Sequence, residues 1–125
     1  MDRVSINLEF IFRASPAILY QFFTTPAALI RWFCDDVDIS KNTYSFYWDG
    51  AEEVAELIEN VENERLRFEF EDYEDGEYLE FRMSRSPVTG ETIFEITDYC
   101  DDDEVADQKQ LWENQIGKLR QETGG

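Results

Sequence analysis

DEVADQKQLWENQIGKLRQ, residues 103–121, decides the architecture. Val105, Gln108, Trp112, Ile116 and Leu119 recur at spacings of three and four, so they share one helical face. Asp107, Lys109, Gln110, Glu113, Asn114 and Lys118 occupy the opposite face. The spacing predicts an amphipathic helix with a narrow apolar stripe and one large anchor, Trp112. Asp101 and Glu104 have the spacing of a capping box, and the acidic run 101–104 suits the positive end of the helix dipole. Lys118 and Arg120 fall in the last turn, and Gly124-Gly125 stops the helix. A helix of this length can close the concave side of a curved sheet, and the chain before it reads as such a sheet.

Val4, Ile6, Leu8, Phe10 and Phe12 alternate with polar residues, and only Ile11 breaks the period. Ser15-Pro16 and Thr25-Pro26 each pair a capping residue with a proline at the first helical position, which predicts two short helices. Their apolar sides are Ile18, Leu19, Phe22 and Phe23, then Ala28, Leu29, Trp32 and Phe33. Six further strands follow: a short one over 36–39, then Tyr44–Trp48, about Glu53–Asn60, Leu66–Phe70, Leu79–Met83 and Thr92–Ile96. Lys41-Asn42, Asp49-Gly50, Asn63-Glu64 and Asp75-Gly76 are the turns between them. In the Glu53–Asn60 strand both faces carry apolar residues, so alternation leaves its register open. Hairpin-length connections make the sheet antiparallel, and seven twisted strands must curl. The fold class is therefore α+β, a curved antiparallel seven-stranded sheet around a long C-terminal helix, with two short helices after the first strand.

The 125 residues are read as a single domain, 1–125. A chain of this size buries roughly two thirds of its unfolded surface, so it needs neither metal nor disulfide to make a core. Ten Phe, six Tyr and three Trp supply that core. The net charge of −18 opposes phosphate backbones and anionic membrane surfaces, which excludes nucleic acid and membrane insertion as expected partners. It suits a protein partner with a basic surface. Cys34 and Cys100, without any histidine, do not make a zinc site, and two free thiols in a reducing compartment are expected. The start Met1-Asp2-Arg3 has no signal-like segment, and the apolar stretch 17–33 is too short and too broken to span a bilayer. The expected location is cytoplasmic.

No histidine-based triad and no glycine-rich phosphate loop is present, so no catalytic residue, metal or cofactor is assigned. Glu56 and Asp49 are the carboxylates to consider for an inward position, with exposure the stronger expectation. Asp98 and the acidic run 101–104 have the oxygen ligands of a hard-cation site but no calcium-loop spacing, and helix capping explains them better. For the aromatics, core packing and pocket lining are nearly equal expectations. Trp32, Phe46, Trp48, Phe68, Phe81, Phe94 and Trp112 are the candidate ligand-binding residues.

Three stretches carry a resemblance: TTPAALIRWF (24–33), YSFYWDG followed by AELIENVENERLRFEFED (44–50 and 55–72), and LWENQIGKLR (111–120). With the element order, they resemble the START-like, helix-grip superfamily, and more closely its branch related to the activator of the ninety-kilodalton heat-shock chaperone ATPase. The resemblance implies an apolar cavity between helix and sheet, holding a small apolar or amphipathic ligand, lipid-like or aromatic. It also implies two alternatives. One is a chaperone-associated or other protein-interaction domain, and the other is a cyclase or hydrolase, for which Tyr47 and Glu56 are the residues to test. Both a monomer and a homodimer through an edge strand fit.

Overall fold

The computed structural model describes residues 2–125. Met1, part of the start read above, lies outside them. The first strand, β1 (Arg3–Phe12), leads into α1 (Pro16–Thr24) and α2 (Pro26–Trp32). A meander follows: β2 (Asp36–Ser40), β3 (Thr43–Trp48), β4 (Ala51–Val61), β5 (Arg65–Phe70), β6 (Leu79–Arg85) and β7 (Thr92–Asp101). A 3-10 turn, Asp102–Glu104, then starts α3 (Val105–Thr123). The strand order is β1-β7-β6-β5-β4-β3-β2, and every pair is antiparallel. This is the α+β arrangement expected from the alternation.

Local chemistry sets the element ends. The Ser15 hydroxyl accepts from the Ile18 N–H at 3.2 Å, which caps α1. Thr25 does not cap α2 in the same way. Its hydroxyl donates back to the Gln21 carbonyl at 2.9 Å and closes α1 instead. Asp49 and Gly50 both have positive φ, 51° and 81°, which matches the hairpin twist between β3 and β4. Gly124, at φ 82°, ends α3 in the left-handed conformation. The Asp101/Glu104 capping box does not form, because neither side chain caps the helix. The Asp102 N–H is taken by the Asp2 carbonyl at 2.8 Å, and the 3-10 turn carries the chain into α3.

The open register of β4 has a structural reason. A bulge between Leu57 and Glu59 shifts the pairing with β5. Ala55 and Leu57 face the core, Ile58 is exposed, and Asn60 accepts from the Tyr20 hydroxyl at 2.6 Å. An extra residue breaks the period of two, so both faces look apolar in sequence.

Trp112, Ile116 and Leu119 anchor α3 on the core, while Leu19 and Phe23 do so for α1, and Leu29 and Trp32 for α2. Ile18, expected on the apolar side of α1, is exposed. The far end of α3 is tied to β1: Arg120 donates to the Ile11 carbonyl at 2.6 Å and lies over the Phe12 ring. Thr92, fully buried, donates to the Ala14 carbonyl and pins the start of β7 to the β1–α1 turn. Arg3 forks onto the buried Glu77 carboxylate and reaches Asp101, which joins β1, the β5–β6 loop and the end of β7. Both cysteines are free and buried.

Candidate functional site

The space between α3 and the sheet is mostly filled. Phe23 stacks on Phe94 at 5.1 Å, and Phe81 lies 5.5 Å from Phe94 and 6.1 Å from both Trp32 and Phe68. Such offset and edge contacts are how aromatic rings reach core density. Of the seven candidate residues, Trp32, Phe46, Phe68, Phe81 and Phe94 sit in this packed core, each no more than 2% exposed. Rings projecting from α1, α2 and facing strands meet at the centre and fill it. Alternation marks a side chain as inward without saying whether its neighbours leave room.

The remaining two, Trp48 and Trp112, come together at one end of the molecule. There a crevice of about 360 Å³ opens between α3 and strands β3 to β7. Phe33, Trp48, Phe70, Leu79 and Trp112 form its apolar wall. Gln108, Leu111 and Gln115 border it from α3, and Glu53 stands on the rim. Phe33 and Trp48 meet edge to face at 5.3 Å, and Phe33 stacks near Trp112 at 6.0 Å.

At the inner end lies Asp98, 2% exposed. Its Oδ2 accepts from the Trp112 indole N–H at 3.0 Å and from the Gln108 amide at 3.2 Å. Its Oδ1 accepts from the Tyr73 hydroxyl and from the Tyr99 N–H, the latter at 2.8 Å. Four neutral donors therefore satisfy the carboxylate. No lysine or arginine forms an ion pair with it among the described residues. Burial pushes the Tyr73 hydroxyl well above its ordinary value, and the adjacent Asp98 adds to this, so Tyr73 stays a donor. The Glu53 carboxyl is also raised, first by desolvation and then by Asp72.

The indole N–H groups are all used within the protein. Trp32 donates to the Phe22 carbonyl at 2.9 Å, Trp48 to the Phe33 carbonyl at 2.7 Å, and Trp112 to Asp98. What Trp48 and Trp112 offer the crevice is ring surface.

Asp98 is the residue the sequence reading misplaced, by grouping it with the acidic run 101–104. Its signal was present: Thr92, Phe94, Ile96, Asp98 and Cys100 continue one inward phase, and β7 runs on to Asp101. Tyr73, in a loop, had no periodicity to mark it. Asp101, Asp103 and Glu104 do cluster, with carboxylate oxygens within 4.8 Å of one another on the exposed turn. Hydrogen bonding with Asp101 raises the Glu104 carboxyl, and Asp101 also accepts from Arg3. The residues considered for enzymatic chemistry lie outside the crevice. Glu56 is exposed and accepts from Thr43, Tyr47 donates to Glu52 on the outer face, and Asp49 is exposed in its turn. Burial pushes the Cys34 thiol up to about 12, with Asp35 and Asp36 adding to it, which opposes formation of a thiolate there.

Comparison with known proteins gives a consistent picture. A family model described as a START-like superfamily domain matches residues 1–125. No curated protein matches the chain. Among solved structures, the chain is similar to BfR322 from Bacteroides fragilis, with 35% identity over 97% of this chain and 91% of that one, at a TM-score of 0.69. It is similar in fold to the Aha1 dimer from Colwellia psychrerythraea, with 20% identity over 96% of each chain and a TM-score of 0.80. DynU16, a putative protein of the dynemicin biosynthetic locus, shares the fold at 19% identity and a TM-score of 0.78, over 96% of this chain and 48% of its own.

Proposed function

This chain belongs to the START-like superfamily, and from that premise we propose that it is a non-enzymatic binding module for a small amphipathic ligand. The observation that carries the reading is the crevice of about 360 Å³ at Trp48 and Trp112, with ring surfaces on its wall and a polar inner end at Asp98. Ligand sites combine a mostly apolar lining with a few fixed polar groups, and this crevice has that composition. Binding fits better than turnover, because a general acid or base needs an open position for a proton. Asp98 already accepts four hydrogen bonds, and the chain has no histidine. No helix among the described residues is long and apolar enough to cross a membrane. A cytoplasmic carrier is the form of the reading we favour.

The experiment is native mass spectrometry of protein purified from cells, followed by denaturing extraction. A reproducible extra mass, released on denaturation and lost in Leu79→Trp, is the expected result. The reading falls if purified protein carries nothing and if fatty acids, sterols and aromatic amphiphiles leave the Trp48 and Trp112 indole resonances unmoved.

A second reading, a protein-interaction domain, is favoured by the net charge of −18. It predicts a basic partner whose retention falls steeply with added salt. A partner retained equally at low and high salt would argue against the charge as its basis.

A further inference from the structure

The crevice is acidic at both ends. Asp98 closes its inner end with a carboxylate that neutral donors satisfy and no cation pairs. Glu53 stands at the rim, and the same residue borders an adjoining hollow lined by Glu52, Glu71 and Asp72. No lysine or arginine lines either space among the described residues. A ligand with an anionic head would meet carboxylates at the mouth and a buried one within.

The wall has the same electrostatic sense. An aromatic ring is negative on its face and positive at its edge, so a cation is attracted to the face. Trp48 and Trp112 have turned their N–H edges inward to protein acceptors. The indole donors that could have held an anion are therefore occupied. Ring surface of Phe33, Trp48, Phe70 and Trp112 remains, next to unpaired carboxylates.

We propose that the crevice takes an amphipathic cation, its apolar or aromatic body against these rings and its ammonium group at the inner end by Asp98, with the Glu53 carboxylate at the rim adding to the same negative field. The inference rests on the crevice being the ligand site. It adds the sign of the ligand's charge and names the residues that read it. Because Asp98 already accepts four hydrogen bonds, it acts on the ligand chiefly by charge, and an ammonium without N–H donors is accepted as well as one that has them.

The test uses four probes with one apolar body and four heads: para-tert-butylbenzylammonium, its trimethylammonium counterpart, para-tert-butylbenzyl alcohol and para-tert-butylbenzoate. Binding is followed through the indole N–H resonances of the whole chain near pH 7. The ammonium is expected to bind about tenfold more tightly than the alcohol, and the carboxylate more weakly than either. Tetra-alkylated para-tert-butylbenzyltrimethylammonium should bind like the primary ammonium.

Three variants separate the site from the general negative charge of the molecule. Asp98→Asn and Glu53→Gln should each reduce the preference for ammonium over alcohol several-fold. Glu69→Gln, an equal change of charge on an exposed strand position paired with Glu56, should leave it unchanged. If Asp98→Asn does not fold, Glu53→Gln carries the comparison alone. Equal affinity for ammonium and alcohol overturns the charge inference and leaves the crevice as a ligand site. A preference that survives both crevice variants also overturns it, since overall charge would then be the cause. Indole resonances unmoved by all four probes would overturn the crevice reading and this inference together.

Discussion

Removing the Asp98 side chain leaves the buried Trp112 indole and the half-buried Gln108 amide and Tyr73 hydroxyl without their acceptor. Asp98→Ala should therefore destabilise the protein by about 3 kcal/mol in urea unfolding, and Tyr73→Phe by about 1 kcal/mol. A cost for Asp98→Ala no larger than that for Tyr73→Phe would mean that water replaces the carboxylate, and that the inner end is wetter than its burial indicates. Glu77 gives a pH signature. The Arg3 fork holds its carboxyl below the ordinary value of 4.5, against the opposing effect of burial, and the Glu74 N–H assists. A depressed carboxyl stabilises the fold above its unfolded value and loses that contribution as pH falls through the folded one. Stability should thus drop below about pH 4.5, and Glu77→Gln should flatten that part of the profile. An unchanged acid limb in the variant would assign the loss to other carboxylates. The same two residues show why sequence patterns under-read polar groups. Asp98 and Glu77 carry the charge of a surface residue, and only their partners make burial tolerable.

The two short helices look alike in sequence, as Ser-Pro and Thr-Pro starts, and differ in structure. Ser15 caps α1, whereas Thr25 spends its hydroxyl on the end of the preceding helix. Ser15→Ala should cost about 1 kcal/mol and Thr25→Ala a few tenths, measured as shifts in urea midpoint. Equal costs would show that the Thr25 bond to Gln21 matters as much as a true cap. In α3 the expected stripe holds at Trp112, Ile116 and Leu119, but Val105 and Gln108 are only half-buried. Val105 still packs against the core, whereas Gln108, one turn on, borders the crevice. Leu111, off the expected stripe and exposed, is a crevice residue as well. In β4, one extra residue at Ile58 sends the strand's alternation out of phase, which no local propensity announces.

At the level of the whole molecule, a net charge of −18 works against compactness through self-repulsion. Raising sodium chloride from about 0.01 M to about 1 M shortens the screening length from roughly 30 Å to 3 Å and should stabilise the fold, on the order of 1 kcal/mol. A fall in stability would show that the outer-face ion pairs of Arg65, Arg67 and Arg82 with Glu59 and Glu80 outweigh the repulsion. The strands, the three helices, the turns and the curled antiparallel sheet were legible in the chain, because period-two alternation, helical spacing and turn chemistry are properties of neighbouring residues. The superfamily was legible for the same reason, since element order and local patterns carry it. Tertiary structure alone decided that β1 lies beside β7, some ninety positions away. It alone decided that five of seven candidate rings fill the interior while two border a crevice. It also made Asp98 the inner end of that crevice. These are matters of how distant side chains meet, and a side chain's inward direction does not specify what it will find there.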